Sequence, residues 1–162
     1  MLDDGFSGLL GGPRSQPAMG GGGSLSGPFL QFSIPCLNVE DQKGPPSFQY
    51  IFYELPLPAF PFQFPEGEGF YVANGWCNGT GSHVQRMKIL DPSRETVLVD
   101  TNDQPFTLKR VEEPFMAVNF ITGMRIEREG AYWMQVFLDN QLRLEYPLQV
   151  RKADSQPQPP TK

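Results

Sequence analysis

The chain of 162 residues carries 13 basic and 18 acidic side chains, which give a formal net charge of −5 without any cluster of lysine and arginine. This length suits one domain with its own core, and the charge argues against non-specific binding of nucleic acid, which needs a basic surface. The 17 glycines and 17 prolines exceed ordinary usage and favour turns and loops over helices.

The sequence also predicts a compartment. No stretch approaches the roughly 18 apolar residues needed to span a bilayer, so no transmembrane segment is expected. The first residues have acids where a secretion signal has lysine or arginine, and two cysteines, Cys36 and Cys77, do not make a disulfide framework. We therefore expect a cytoplasmic protein with both thiols reduced.

Three regions follow one another along the chain. Residues 1–27 form a glycine-rich arm that includes the run Gly20–Gly23 and has too few apolar side chains to fold alone, so we expect it to be flexible. Residues 28–151 form the predicted domain, and residues 152–162 form a flexible tail rich in proline and glutamine. Sparse anchors on the arm could bind a partner: Phe6, Leu9 and Leu10.

Between the two tails, apolar residues recur with a period of two, which is typical of β-strands. Clusters of Gly, Pro, Asn and Asp separate the apolar runs, and no helical pattern of ten residues survives between them. This spacing predicts an all-β protein, an antiparallel immunoglobulin-like β-sandwich. The predicted strands are 29–39, 47–55, 69–76, 83–90, 96–99, 106–110, 115–122, 131–138 and 142–150.

Phenylalanines alternate with other residues in the segment "AFPFQFP", so Phe60, Phe62 and Phe64 face one way if the chain is extended. Pro61 confines this segment to a sheet edge or to an extended connection. Two interpretations stay open: the three rings plug the sandwich core, or they form a rigid ridge that docks on a partner.

His83 is the only histidine, and Cys77 lies six residues before it. A histidine that satisfies local hydrogen bonds explains it more simply than a Cys–His catalytic site, since no oxyanion pattern accompanies the pair. Three Cys and His residues are too few for a four-ligand zinc site. The acidic loops, with Asp100, Asn102 and Asp103 in one and Glu112 and Glu113 in the other, are either solvated turns or a calcium site.

The last two predicted strands form a hairpin. A three-residue loop at 139–141 would oppose Leu138 to Leu142, Val136 to Leu144, Met134 to Tyr146 and Tyr132 to Leu148, and would keep the apolar faces together. In "EREGAYWMQV", Tyr132 stands where immunoglobulin-like sandwiches have a tyrosine whose hydroxyl bonds back to the preceding turn.

Aromatic side chains are in surplus. Trp133 and Phe137 fall on the face opposite Tyr132, where they could stack sugars, dock a protein or be covered by another segment. The other surplus aromatics are Trp76, Tyr50, Phe52, Tyr53, Phe60, Phe62 and Phe64.

The motifs "NGWCNGTGSHVQRMKILDP", "QPFTL", "AVNF", "EGAYWMQVFLD" and "YPLQV" resemble a family of short bacterial β-sandwich proteins known only as a domain of unknown function. The resemblance covers roughly residues 47–151 and implies the fold. It implies no activity and no cofactor.

These features predict a non-catalytic accessory or structural subunit. We expect it to dock on a larger protein complex, with peripheral contact to a membrane complex left open. The predicted partner-binding residues are Phe6, Leu9, Leu10, Phe60, Phe62, Phe64, Trp133 and Phe137. A carbohydrate-binding module that stacks sugars on Trp133, Phe137 and Trp76 is the alternative, and an enzyme comes third because the chain has one histidine and no paired-carboxylate pattern.

Overall fold

A computed structural model describes residues 27–40 and 44–154, and within them every regular element is a β-strand. In this part of the chain there is no helix long and apolar enough to cross a membrane. The strands are β1 (Phe29–Glu40), β2 (Ser47–Ile51), β3 (Glu54–Leu57), β4 (Phe62–Gln63), β5 (Gly69–Cys77), β6 (Gly81–Leu90), β7 (Val97–Asp100), β8 (Gln104–Leu108), β9 (Phe115–Thr122), β10 (Arg125–Ile126), β11 (Gly130–Leu138) and β12 (Gln141–Lys152).

The strands form two main sheets. One has the order β2-β1-β5-β9, and the other has the order β3-β12-β11-β6-β7 with β8 also paired to β6. All pairs are antiparallel except β3 with β12, and β4 pairs with β10 in a small separate ribbon. The prediction of an all-β fold built on antiparallel sheets is therefore confirmed, and this strand order is consistent with an immunoglobulin-like sandwich.

The core lies between the two sheets, because each apolar cluster draws residues from both. The main cluster joins Phe70 and Val72 of β5 to Met87 of β6 and Met134 of β11. A second cluster packs Trp76 against the ends of β8 and β11. Burial of these side chains is the main stabilising contribution, at about 25 cal/mol per Å² of apolar surface.

Polar contacts also join the sheets. Asn74 of β5 donates from Nδ2 to Oε1 of Gln85 on β6 at 2.9 Å, and both side chains are fully buried. The hydroxyls of Ser33 on β1 and Tyr146 on β12 lie 2.9 Å apart. Buried polar groups need such partners, so these pairs constrain how the sheets face each other.

The segment predicted as one strand at 47–55 is two strands in different sheets. Tyr50 has a φ of 56°, which interrupts the extended backbone near the end of β2. After this kink the chain crosses over, and β3 pairs in parallel with β12 from Gln149 opposite Glu54 to Lys152 opposite Leu57. The prediction of a single strand was wrong because sequence pattern does not reveal a change of sheet.

The β11–β12 hairpin has three of the four predicted cross-strand pairs but not the predicted pair of Leu138 with Leu142 or the predicted loop. Val136 lies opposite Leu144, Met134 opposite Tyr146 and Tyr132 opposite Leu148. The loop is two residues long, because Leu138 pairs with Gln141 while Asp139 and Asn140 both have positive φ. A bulge next to Phe137 then restores the register, so the three-residue loop was wrong.

Tyr132 closes the corner before β11 as predicted. Its hydroxyl donates to the carbonyl of Arg128 at 2.9 Å, while its ring is buried in the main cluster. Burial raises the pKa of the Tyr132 hydroxyl. The corner residue therefore keeps its proton and its hydrogen bond.

Candidate docking surface

The chain from β1 to β3 carries four exposed apolar or aromatic side chains, which we call the hairpin patch. The exposed fractions are 84% for Tyr53, 74% for Tyr50, 49% for Leu37 and 48% for Ile51. Tyrosine is enriched at protein interfaces because it buries a large ring and still offers a hydroxyl.

Strand pairing sets the positions of these residues along the hairpin. Cys36 lies opposite Ile51 and Asn38 opposite Gln49, which brings Leu37 and Tyr50 to the same level of the hairpin. Because the backbone kinks at Tyr50, its ring leaves the regular sheet surface and remains in solvent. Cys36 itself is fully buried, and this burial raises the pKa of its thiol.

A groove of about 380 Å³ continues the hairpin patch beyond Leu37. Its walls include Phe64, Tyr71 and Phe120, and the last two rings lie 4.8 Å apart between centroids. Phe120 is 42% exposed. The patch and the groove therefore share Leu37.

Three acidic side chains lie on the segments that carry this surface. Glu68 lines the groove, and Glu66 and Glu40 are exposed on the neighbouring loop and at the end of β1. An apolar centre with a charged rim is the usual arrangement of a protein interface.

The three predicted phenylalanines pack inward. Phe60, Phe62 and Phe64 are partly buried against the main core cluster, while Pro61 and Gln63 between them are exposed. Phe62 and Phe64 meet edge to face at 5.2 Å, and Phe64 lies 6.0 Å from Phe70. This packing corresponds to the core-plug interpretation of the segment.

Basic side chains cover the predicted aromatic pair on β11. The Arg94 guanidinium lies 3.4 Å from the centre of the Trp133 ring, and Glu145 holds it there through an ion pair of 3.1 Å. The ammonium of Lys88 lies 5.6 Å from the centre of the Phe137 ring. Both aromatics are half-buried as a result.

The three aromatics of the alternative glycan-stacking platform do not lie on one exposed surface. Trp76, its third member, is fully buried, and its indole nitrogen donates to Gln85 at 3.3 Å. Trp133 carries Arg94 on its face where a sugar would stack. The inclusion of Trp76 was wrong because its position on β5 faces the other sheet.

His83 serves the structure of the β11–β12 hairpin. Its Nδ1 lies 2.8 Å from Asp139 Oδ2, and its Nε2 lies 3.0 Å from the carbonyl oxygen of Thr80. Burial lowers the pKa of His83, but the hydrogen bonds to Asp139 and Thr80 outweigh it and leave the pKa above its ordinary value. The ring nitrogens are thus both engaged, in agreement with the structural interpretation of this residue.

The acidic loop at 100–103 has a basic partner. Arg86 contacts both carboxylate oxygens of Asp100 at 2.6 Å, and its guanidinium reaches Asp103 at 3.8 Å. This pairing lowers the pKa of Asp100. Among the described residues no group of three or more His, Cys, Asp and Glu side chains could hold a metal ion.

Comparison with known proteins gives a family but no activity. A family model described as "Family of unknown function (DUF6941)" matches residues 31–151, most of the chain. The chain belongs to this family. The match begins in β1 and so takes in more of the chain than the resemblance that started near residue 47. No curated protein and no solved structure matches the chain.

The residues that the family model matches include both sheets and the hairpin patch, but not all of the predicted partner-binding residues. Phe6, Leu9 and Leu10 lie outside the described residues. The structure adds Leu37, Ile51 and Phe120, which sequence reasoning did not select. In the sequence, Tyr50 and Tyr53 stand out only as members of the aromatic surplus. Their exposure depends on the point where the chain passes from one sheet to the other.

Proposed function

We propose that the chain is a non-catalytic accessory or structural subunit that docks on a larger protein assembly through the hairpin patch. The observation that carries this proposal is the exposure of Tyr50 and Tyr53, together with that of Leu37 and Ile51, on the chain from β1 to β3. Isolated exposed apolar side chains are ordinary, whereas a group of them that continues into an apolar groove marks an interaction surface.

The partner is a protein whose surface has apolar sockets and a basic rim. The sockets accept the tyrosine rings, which lose few rotamers on binding, so they are efficient anchors. The basic rim complements Glu40, Glu66 and Glu68 and agrees with the net charge of −5. The assembly is either soluble or a membrane complex that this chain touches at its surface.

We also propose that the fold is an immunoglobulin-like sandwich, that the protein is of bacterial type and that it works in the cytoplasm. The strand order and the Tyr132 corner support the immunoglobulin-like part. The two free thiols, Cys36 and Cys77, support a reducing compartment. The engagement of both His83 nitrogens in structural contacts supports a non-catalytic role.

The test is a binding experiment with a variant of the patch. The tagged full chain is purified from the cells that make it, and the protein that co-purifies in fixed stoichiometry is identified and produced separately. The double variant Tyr50→Asn with Tyr53→Ser should bind this partner at least about tenfold more weakly, since interface tyrosines are often hot spots. Asparagine is chosen because it tolerates the positive φ at residue 50.

Val111→Ser is the matched control, because Val111 is 53% exposed and lies in the loop after β8. It should bind as the native chain does, and all variants should melt at nearly the same temperature. Equal binding by the tyrosine variant, or a chain that is isolated as a lone monomer, would contradict the proposal.

A further inference from the structure

Strand β9 stands at one end of its sheet and is the longest of the strands in such end positions. It has 8 residues, whereas β2 has 5 and β3 and β7 have 4 each. Among the described strands it pairs with β5 only, and its register runs without a shift from Thr122 opposite Gly69 to Phe115 opposite Trp76. The other edge of β9 therefore presents a regular row of backbone donors and acceptors that no described strand pairs.

Edge strands usually carry features that hinder pairing with another chain, such as charge, proline, a kink or shortness. Strand β3 contains Glu54 and Pro56, and the short β7 ends in Asp100. The positive φ of Tyr50 interrupts β2. Strand β9 has no charged residue, no proline and no residue of positive φ, so of these four end strands it is the one suited to pairing.

The side chains of β9 also favour an added strand. One face is buried towards the core and holds Ile121 of the main cluster. On the outer face Phe120 is 42% exposed, and its ring lies 4.8 Å from that of Tyr71 on β5. Met116 and Val118 share this outer face and are half-buried. A strand placed beside β9 would therefore extend an outer face that is already apolar.

We propose that two copies of this chain associate through β9, which pairs antiparallel with β9 of the second copy about a two-fold axis near Val118 and Asn119. The sheets of the two copies then form one continuous sheet across the axis. Each copy supplies the same strand to the other, as in any two-fold symmetric contact, and the open edges of both are satisfied by backbone hydrogen bonds.

The charge of the chain favours this edge as the contact between copies. With a net charge of −5 two copies repel each other, so association is easiest at a surface without acidic side chains. Every residue of β9 is uncharged. Because both strands of the pair have this sequence, no like charges come to lie opposite each other within the pairing.

The residues that flank β9 add charge complementarity. Antiparallel pairing lays the beginning of β9 in one copy beside the end of β9 in the other. Glu112 precedes the strand and Arg125 follows it, and both side chains stay largely exposed although each has an ion pair within the chain. The acidic flank of each copy would therefore lie near the basic flank of the other, and the symmetry produces this contact twice.

This association goes beyond the proposed docking through the hairpin patch and does not depend on it. Phe120 also lines the groove next to that patch, so the test substitution is placed at Val118 instead. Val118→Lys should bind the co-purified partner as the native chain does. Loss of partner binding in Val118→Lys would assign the β9 edge to that partner and overturn the self-association.

Sedimentation equilibrium of the full chain, from micromolar to millimolar concentration, measures the association. The native chain should pass from monomer to dimer over this range. Val118→Lys should associate at least about tenfold more weakly, because the two lysines of the pair would lie next to each other at the axis. Val97→Lys is the matched control, since it introduces the same charge at a valine that is 48% exposed on β7. This control should dimerise as the native chain does.

Three results of sedimentation would overturn the proposal. They are a native chain that stays monomeric, a Val118→Lys chain that dimerises as tightly as the native one, and an equal weakening in Val97→Lys. The melting temperatures of the three proteins show whether each variant is folded.

Hydrogen exchange of the native chain needs no substitution and decides the question if Val118→Lys is poorly folded. Amides of residues 115–122 that face the open edge should exchange at least about tenfold more slowly in the dimer than after dilution to the monomer. Residues 132–136 of β11 pair with a strand on each side and should exchange equally at both concentrations. Protection of residues 115–122 that does not change on dilution would show that no second copy fills the edge, and it overturns the proposal.

Discussion

The two aromatic surfaces of this molecule have the same residue types but different surroundings. On β11, Trp133 and Phe137 stand on the outward face, where Arg94 and Lys88 lie against their rings. On the hairpin patch, Tyr50 and Tyr53 are the most exposed large hydrophobic side chains of the described part of the chain. An aromatic surplus in a sequence is therefore not a binding site by itself, since a cation from a distant turn can occupy the ring face.

The largest expected effect separates aromatics that support the core from aromatics that are exposed. Phe62→Ala should lower the free energy of unfolding by about 2–4 kcal/mol, because its ring packs on Phe64 and the main cluster. Tyr53→Ala should change it by less than about 0.5 kcal/mol, as exposed substitutions usually do. Denaturant unfolding of the full chain measures both. Equal losses of unfolding free energy in the two variants would contradict the distinction between a phenylalanine that packs on the core and a tyrosine of the exposed hairpin patch.

The second prediction concerns a substitution that exposes Trp133 on β11. Arg94→Asn removes the guanidinium from Trp133 and should lower the free energy of unfolding by about 1 kcal/mol. Asparagine suits the positive φ of 65° at this turn position. Acrylamide should then quench tryptophan fluorescence more strongly, since Trp76 is buried and only Trp133 gains exposure. Arg110→Asn, at an exposed loop arginine, should leave quenching unchanged.

A smaller effect tests what holds Arg94 in place. Glu145→Gln weakens the ion pair of 3.1 Å and should cost about 0.5 kcal/mol, because both partners are partly solvated. If the ring is the main attraction for Arg94, tryptophan quenching should stay close to that of the native chain. Quenching as strong as in Arg94→Asn would instead show that the ion pair with Glu145 holds Arg94 over the Trp133 ring.

The mildest perturbation changes only the pH. The contacts of His83 with Asp139 and Thr80 raise its pKa in the folded state despite burial, so protonated His83 stabilises the β11–β12 hairpin. This stabilisation is fully present below the unfolded pKa of about 6.5 and is lost as pH rises through the raised folded pKa. Urea unfolding from pH 6 to pH 9 should show the decline, and His83→Gln should lack it. An unchanged slope in His83→Gln would assign the decline to other groups.

Much of the fold could be predicted because alternation and turn residues are local signals. The burial of Tyr132, Met134, Val136 and Leu138 follows directly from their spacing, and so does most of the register of their hairpin. The crossing at Tyr50 could not be predicted, because it depends on a backbone angle that tyrosine rarely adopts.

The candidate site was harder to predict than the fold. Arg94 and Trp133 are far apart in sequence, so no local pattern signals that one covers the other. Leu37 and Ile51 look like ordinary strand residues, and only their place at the outer hairpin leaves them in solvent. Whether a strand residue is exposed depends on the order of all the strands in the sheets, whereas the alternation of apolar and polar residues depends only on a few residues next to each other in sequence.

The parallel pairing of β3 with β12 has a mechanical consequence. Tyr53 of the hairpin patch directly precedes β3, and the C-terminal residues directly follow β12. A pulling force between a partner held at the patch and the C-terminal end would therefore act along both strands in opposite directions. Their hydrogen bonds, from Glu54 with Gln149 to Leu57 with Lys152, would carry the load together and resist sliding, whereas a hairpin pulled at its open end separates one bond at a time.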